Sequence, residues 1–295
     1  MEALWDVLKQ TQQRGVAIGH FNISDLVLLK AVAAAAKEVD LPVIVGASQG
    51  ERDFMGVHEI AALVKTLREE SGISIYLNAD HTHSLAKAEE AAKAGFDAVV
   101  FDLSALPIEE NVRQTKEAVA RLKAINPAML IEGEIGDIGT GSEIHETTID
   151  VSKGLTTPDE AKQFVAATGI DILAPAVGNM HGMSASMVRG EARKHLDIKR
   201  IAEIKRATGV PLTLHGGSGT EDEDFRKAIA AGINIVHINT ELRVAWRESL
   251  EASLAKMPGE VVPYKILPPV IEAVKEVVVS RLRLFNGVGV ATAAN

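Results

Sequence analysis

The sequence predicts a (β/α)8 barrel, and three observations carry that expectation. Eight apolar, β-branched runs recur along the chain. Helical stretches separate them. The runs end in histidine, aspartate, asparagine or glycine, where solubility alone would be served by lysine or glutamate. The runs are "GVAIGHF" (15–21), "LPVIVGAS" (41–48), "ISIYLNA" (73–79), "DAVVFDL" (97–103), "AMLIEGEI" (128–135), "IDILAPAV" (170–177), "VPLTLHG" (210–216) and "INIVHIN" (233–239). Their continuous apolar character suits parallel strands buried on both faces. A doubly wound open sheet is the alternative topology.

The elements follow in order. Residues 1–14 read as a helix that covers the barrel bottom. Ser24 precedes the helical stretch "DLVLLKAVAAAAKEVD", and Ser84 precedes "LAKAEEAAKAG", which ends at Gly95. Thr157, Pro158 and Glu160 open "PDEAKQFVAATG" as a capping box with proline in the first turn, and Thr220 with Glu223 opens the next helix in the same way. The stretch after the fifth strand, "GDIGTGSEIHETTIDVSKGL", is rich in glycine and lacks a helical pattern. It reads either as a plain connector or as a mobile lid carrying an acid, Glu143. Residues 241–256 form a helix after the eighth strand. "ILPPVIEAVKEVVVSRLRLFNG" adds an amphipathic one, expected to pack on a second subunit, and "VGVATAAN" reads as a frayed end. The chain is expected to be a single domain over 1–295, with the barrel at about 15–245 and a helical extension at about 246–287.

Composition narrows the class. The net charge of −9 argues against general nucleic-acid binding, yet leaves room for a local anion pocket. The chain has no cysteine, which excludes disulfides and thiolate sites and fits a reducing compartment. No apolar run approaches the ~20 residues of a membrane span, and the N-terminus lacks the basic-then-apolar pattern of a secretory signal. A cytoplasmic protein without a membrane partner is expected.

The strand ends carry the chemistry. His81, His181 and His215 each fall where a strand meets its loop, after strands three, six and seven. Three such histidines could bind zinc and leave one position open for substrate. His58, His145 and His195 lack supporting neighbours and read as surface residues. His20, one residue inside its strand, reads as a satisfied structural histidine, and His83 as a residue behind the site or on the surface. Asp80 either orients a histidine ligand or transfers a proton. "LHGGSGT" resembles an anion cradle: Gly216 and Gly217 let backbone N–H groups approach a ligand, Ser218 adds a hydroxyl, and Thr220 opens a helix. Barrels bind phosphate between the loops after strands seven and eight.

Taken together, "NADHTH", "EGEIG", "VGNMHG", "LHGGSG" and "NTEL", in this order and spacing, resemble the class II, metal-dependent ketose-bisphosphate aldolases. The resemblance implies His81, His181 and His215 as ligands of catalytic zinc. It implies Asp102 and Glu134 as ligands of an alternative or second divalent position, and Asp80 as the acid/base at the C4 hydroxyl. Gly182, Gly216, Gly217, Ser218 and Thr240 would hold a triose phosphate beside a monovalent cation, with Asn22 and Ser48 toward the other half of the sugar. Where the family has an asparagine in the dihydroxyacetone subsite, this chain has His237, with Asn239 two residues on. Glu143 stands about one residue from the family's lid glutamate. The implied activity is reversible cleavage of fructose 1,6-bisphosphate by a homodimer or homotetramer. The alternatives are tagatose 1,6-bisphosphate as substrate, a metal-dependent hydrolase suggested by the His81/His83 pair, and a non-catalytic sugar-phosphate-binding barrel. Arg281 and Arg283 are candidates for distal phosphate contacts from a neighbouring subunit.

Overall fold

The computed structural model of the chain describes residues 1–139, 141–145 and 154–287. The terminal stretch "VGVATAAN" lies outside the described residues, as do 140 and 146–153 of the expected lid. The first half runs α1 (Leu4–Arg14), β1 (Ile18–Asn22), α2 (Leu26–Val39), β2 (Val43–Ala47), α3 (Gln49–Met55), α4 (Val57–Ser71), β3 (Ile75–Thr82), α5 (Leu85–Ala94), β4 (Ala98–Phe101), α6 (Ile108–Ile125) and β5 (Leu130–Ile135). The second half runs β6 (Ile144–His145), α7 (Pro158–Thr168), β7 (Ile172–Pro175), β8 (Met183–Ser184), α8 (Ala185–Val188), α9 (Ile198–Thr208), β9 (Leu212–Leu214), α10 (Asp222–Ala231), β10 (Ile233–Ile238), α11 (Thr240–Lys256), α12 (Pro263–Ile266) and α13 (Pro268–Phe285).

The strands close into a barrel in the order β1-β10-β9-β7-β5-β4-β3-β2, and β6 pairs with β8 outside it. Each of the eight predicted runs overlaps one barrel strand, with β1 and β3 running past their predicted ends to Asn22 and Thr82. The two-residue period of a strand then sorts the interior into layers. Ile18, Ile44, Tyr76, Ala98, Leu130, Ile172 and Ile235 form an apolar floor, and Leu4, Val7 and Leu8 of α1 seal it from below, as expected. Two residues up, the inward positions turn polar, with His20, Asn78, Glu132 and His237 all buried. A further two up lie Asn22, Asp80 and Glu134. The polar end is the carboxyl end of the strands.

Several expectations change. Asp25, not Ser24, caps α2, its carboxylate accepting from the Leu28 amide at 2.7 Å. Ser84 caps α5, and Thr157 with Glu160 caps α7 as predicted. Thr220 does not cap α10, which begins at Asp222 behind Glu221. Instead Thr220 bridges to Lys194. The apolar stripe of α13, including Val270, Val274, Val278 and Leu282, is buried within this chain and does not wait for a second subunit. Ala17 N donates to Phe285 O at 3.1 Å and ties the end of α13 beneath β1. Among the described residues no helix is long and apolar enough to cross a membrane.

Candidate active site

Three histidines from distant elements meet at the polar end of the barrel. His81 Nε2 stands 3.1 Å from His181 Nε2 and 3.2 Å from His215 Nδ1. A tetrahedral ion with metal–nitrogen bonds of 2.0–2.1 Å would set its ligands about 3.3 Å apart. The remaining nitrogen of each ring is held by an acceptor. His81 Nδ1 donates to Asp102 Oδ2 at 2.9 Å, His181 Nδ1 to Gly139 O at 2.8 Å, and His215 Nε2 to Glu132 Oε1 at 2.7 Å. Those bonds orient the rings, so that in their neutral forms the three facing nitrogens would present lone pairs to one point. Nitrogens crowded in this way need positive charge between them, which a proton on His81 or a metal ion supplies.

The surrounding charges make the same demand. Burial lowers His181 and His215 to about 3, which keeps both neutral. Burial would lower His81 too, but Asp80, Asp102 and Glu134 outweigh it and lift it to about 10. Burial, with Asp102 beside it, raises Glu134 well above the usual carboxylate range, and its Oε2 has no hydrogen-bond partner. A divalent ion would satisfy the carboxylates and the lone pairs at once, so these residues fit a metal. A second grouping, His81 with Asp102 and Glu134, also brings its ligand atoms within 4.8 Å of one another.

Asp80 and His81 reach the site by different routes. A regular strand would point them to opposite faces. Asp80 keeps the inward parity of Tyr76 and Asn78, so it does not have to be turned in. His81 is the residue that breaks the pattern. Its φ of 36° lies in the left-handed region, and the pairing of β3 with β4 slips between Ala79 and Thr82. The fully buried Arg52 locks this kink, donating to Asp80 O at 2.9 Å and Thr82 Oγ1 at 2.8 Å. The Asp80 carboxylate takes a bond from Asn22 Nδ2 at 2.8 Å through Oδ2, while Oδ1 has no partner. Burial would raise its pKa, but His81, His20 and His215 together hold it below the ordinary carboxylate value.

The glycine-rich loop lies next to His215. Ser218 Oγ accepts from the amides of Asn239 at 3.2 Å and Glu241 at 3.3 Å, which leaves its own O–H to donate. Among the described residues the amides of Gly182, Gly216, Ser218 and Thr240 have no acceptor. The Gly217 amide is already bound to His237 O at 3.1 Å, so its part in the loop is close packing. Lys194, 4% exposed, donates from Nζ to Met180 O at 2.7 Å, Gly182 O at 2.6 Å and Gly216 O at 2.9 Å. Burial pulls this lysine down toward about 7, opposed by Glu241, while three carbonyl acceptors on its Nζ favour the charged form.

The other expected residues fall around this centre. Glu143 is exposed and shares a cavity of about 240 Å³ with Ser48, Asp80, His81, Asp102 and Asn239. His83 lines the same cavity, largely exposed, with Nδ1 donating to Asp102 O at 3.0 Å. His237 stands beneath the site, Nδ1 3.5 Å from Asp80 Oδ1, while Asn239 faces the opening. His20 is not the satisfied histidine expected. It is the ladder partner of His237, the rings stack at 3.4 Å, and neither of its nitrogens has a hydrogen-bond partner among the described residues. Gly46 makes room for it, since a Cβ there would meet the His20 ring at 2.0 Å. His145 is not a plain surface residue either: it is half-buried, Nε2 donating to His181 O at 3.3 Å. His58 and His195 are at the surface as expected. Arg281 is committed to Glu241 and Asp222, and Arg283 to Glu38, within this chain. A larger cleft of about 650 Å³ lies outside the barrel between α8, α11 and α13 and contains none of the histidines.

Sequence reasoning missed Glu132, Arg52 and Lys194. Only the parity of Glu132 with Glu134 could have signalled the first. Glu132 also accepts from Thr213 Oγ1 at 2.8 Å, which fixes its carboxylate behind His215. Glu132→Ala is expected to weaken metal binding about 10–100-fold, read by competition against a chelator of known affinity. Unchanged affinity would remove Glu132 from the support of His215.

Fold and site together define a parallel barrel whose polar end sets a metal-fitting group of histidines beside a loop of unpaired amides. The family model described as "Fructose-bisphosphate aldolase class-II" matches residues 2–290. The chain is 35% identical to the fructose-bisphosphate aldolase of Geobacillus stearothermophilus over 289 residues, covering 97% of each chain. It is 33% identical to that of Thermus caldophilus over 305 residues, covering 96% of this chain and 97% of the other. The crystal structure of the YdjI aldolase from Escherichia coli superposes with a TM-score of 0.82 at 28% identity, covering 97% of each chain. This chain belongs to the class II fructose-bisphosphate aldolase family.

Proposed function

We propose that the protein is a zinc-dependent aldolase that reversibly cleaves fructose 1,6-bisphosphate to dihydroxyacetone phosphate and glyceraldehyde 3-phosphate. The observation that carries this reading is the convergence of three imidazole lone pairs on one rim with a loop of unsatisfied amides. A ligand set of neutral imidazoles suits zinc. His81, Asp102 and Glu134 offer a second divalent position. When bound, the divalent ion supplies Lewis-acid stabilisation of the negative charge that carbon–carbon cleavage develops at the ketone end.

The chain's own residues supply the rest. Asp80 Oδ1, fixed through its other oxygen by Asn22, takes the proton of the C4 hydroxyl in cleavage and returns it in condensation. Glu143, on the segment that crosses the opening, exchanges the proton at the ketone-side carbon. The amides of Gly182, Gly216, Ser218 and Thr240 hold the ketone-side phosphate. Asn22, Ser48, His237 and Asn239 border the sugar. Arg243, which lines the cavity and donates to Glu51 at 2.8 Å, is the residue we assign to the distal phosphate. The cysteine-free chain suits the cytoplasm. A homodimer or homotetramer would cover Phe54, Val261 and Tyr264, which are more than three-quarters exposed, and light scattering measures that assembly.

A coupled assay for triose phosphate release, run with fructose and tagatose 1,6-bisphosphates and with metal content measured, tests the reading. Release from neither sugar by zinc-loaded protein would refute it. Ser218→Ala is expected to raise KM about three- to tenfold with little change in kcat, the loss of one hydrogen bond to a charged group. An unchanged KM would take the hydroxyl out of the phosphate pocket.

A further inference from the structure

The resemblance implies a monovalent cation beside the phosphate, and the structure bears directly on whether one fits. The carbonyls of Met180, Gly182 and Gly216 converge on a point between the loop that carries His181 and the glycine-rich loop after β9. That point is occupied by a side chain. Lys194 Nζ donates to all three oxygens at 2.6–2.9 Å. A carbonyl can only accept, so three carbonyls facing one nitrogen call for three hydrogens, which is the ammonium form. An ammonium and a potassium ion are close in size and charge, and the two cannot share the cradle.

The lysine is built in from both sides. Its amide donates to Gly219 O at 2.8 Å, and its carbonyl accepts from Glu221 N at 3.2 Å. This short bridge runs alongside the phosphate loop and aims the side chain inward. Gly216 cannot be replaced without disturbing the arrangement, because a Cβ there would meet Met180 O at 2.1 Å. The three oxygens carry partial negative charge on the floor of an anion pocket, and an uncompensated floor would repel phosphate. With every N–H used by a carbonyl, the ammonium acts on the anion through its charge alone.

We propose that Lys194 is a resident monovalent cation, so that phosphate binding in this chain is independent of potassium or sodium. The inference rests on the reading of the glycine-rich loop as a phosphate pocket. Its test uses inorganic phosphate as probe, with metal-loaded protein in tetramethylammonium buffer. Affinity is read by isothermal titration, and folding by circular dichroism. The wild type is expected to bind phosphate equally well with and without added potassium. Lys194→Ala should bind about tenfold more weakly or worse and recover on addition of potassium or ammonium, which enter the emptied cradle. Lys194→Met, whose side chain fills the space without a charge, should stay weak in both. A wild-type affinity that rises with potassium would overturn the proposal, and that measurement decides even if neither variant folds. So would a Lys194→Ala variant that binds as tightly as wild type without potassium, or a folded one that potassium cannot restore. Potassium-dependent phosphate affinity in a protein that still cleaves the ketose bisphosphate sinks this inference alone. Wild type that neither binds phosphate nor cleaves sinks the aldolase reading.

Discussion

Asp80→Ala is expected to lower kcat for fructose 1,6-bisphosphate cleavage by about 10²–10⁴-fold, the usual contribution of a positioned acid/base, while the bound metal stays at wild-type level. The two halves of that result come from different atoms. The nitrogens proposed to hold the metal belong to His81, His181 and His215, and the Asp80 carboxylate is fixed by other groups. Asn22 Nδ2 donates to Asp80 at 2.8 Å and to Glu51 at 3.0 Å, and Arg52 pins the Asp80 carbonyl from behind. One carboxylate oxygen is thereby committed and the other free, with the nearby imidazoles holding the group ionised. Alanine removes the proton acceptor and leaves the kink in β3 to Arg52. Asp80→Asn, which keeps the shape, should be as slow. Near-normal turnover in either variant would show that another group moves the proton. Loss of metal from Asp80→Ala would instead make Asp80 a support for the ligands.

The barrel was legible because its signals are local. Eight apolar runs, the glycine and proline breaks and the capping box at Thr157 each lie within a few residues of one another. The site was legible where residues sit at strand ends, since topology carries those ends to one rim. What the sequence hid depends on pairings between distant segments. His20 and His237 are 217 positions apart, yet they are ladder partners whose rings stack inside the barrel. Glu132 sits in an apolar run and looks like an interruption until His215 is placed 2.7 Å away. Lys194 lies in "RGEARKH", a stretch as polar as any surface loop, and only the fold shows it buried on three carbonyls. Parity along β3 was readable, but the left-handed backbone at His81 was not. A residue without a glycine's freedom takes that conformation only when its surroundings force it.

Removing the metal should have the largest effect. Chelator-treated protein is expected to lose at least about a thousandfold in cleavage rate and to regain it with zinc, since Lewis-acid stabilisation is worth several kcal/mol in the transition state. Stability should follow the metal as well. The buried Asp80, Glu132 and Glu134 and the half-buried Asp102 lie around three imidazoles, and that much sequestered carboxylate is unfavourable without compensating positive charge. Metal that binds the folded chain at about 1,000 times its Kd adds roughly 4 kcal/mol, so zinc should raise Tm measurably. His215→Ala separates the ligand from the charge. It deletes one of the three nitrogens and also strips Glu132 of its donor, leaving Thr213 as the partner of that carboxylate. The variant should be inactive at any zinc concentration, and its Tm response to zinc should fall to what His81, Asp102 and Glu134 alone can give. Full cleavage by protein shown to be metal-free would sink the proposed chemistry, whereas an undiminished zinc response of Tm in His215→Ala would mean that the catalytic ion is held by a different set of residues.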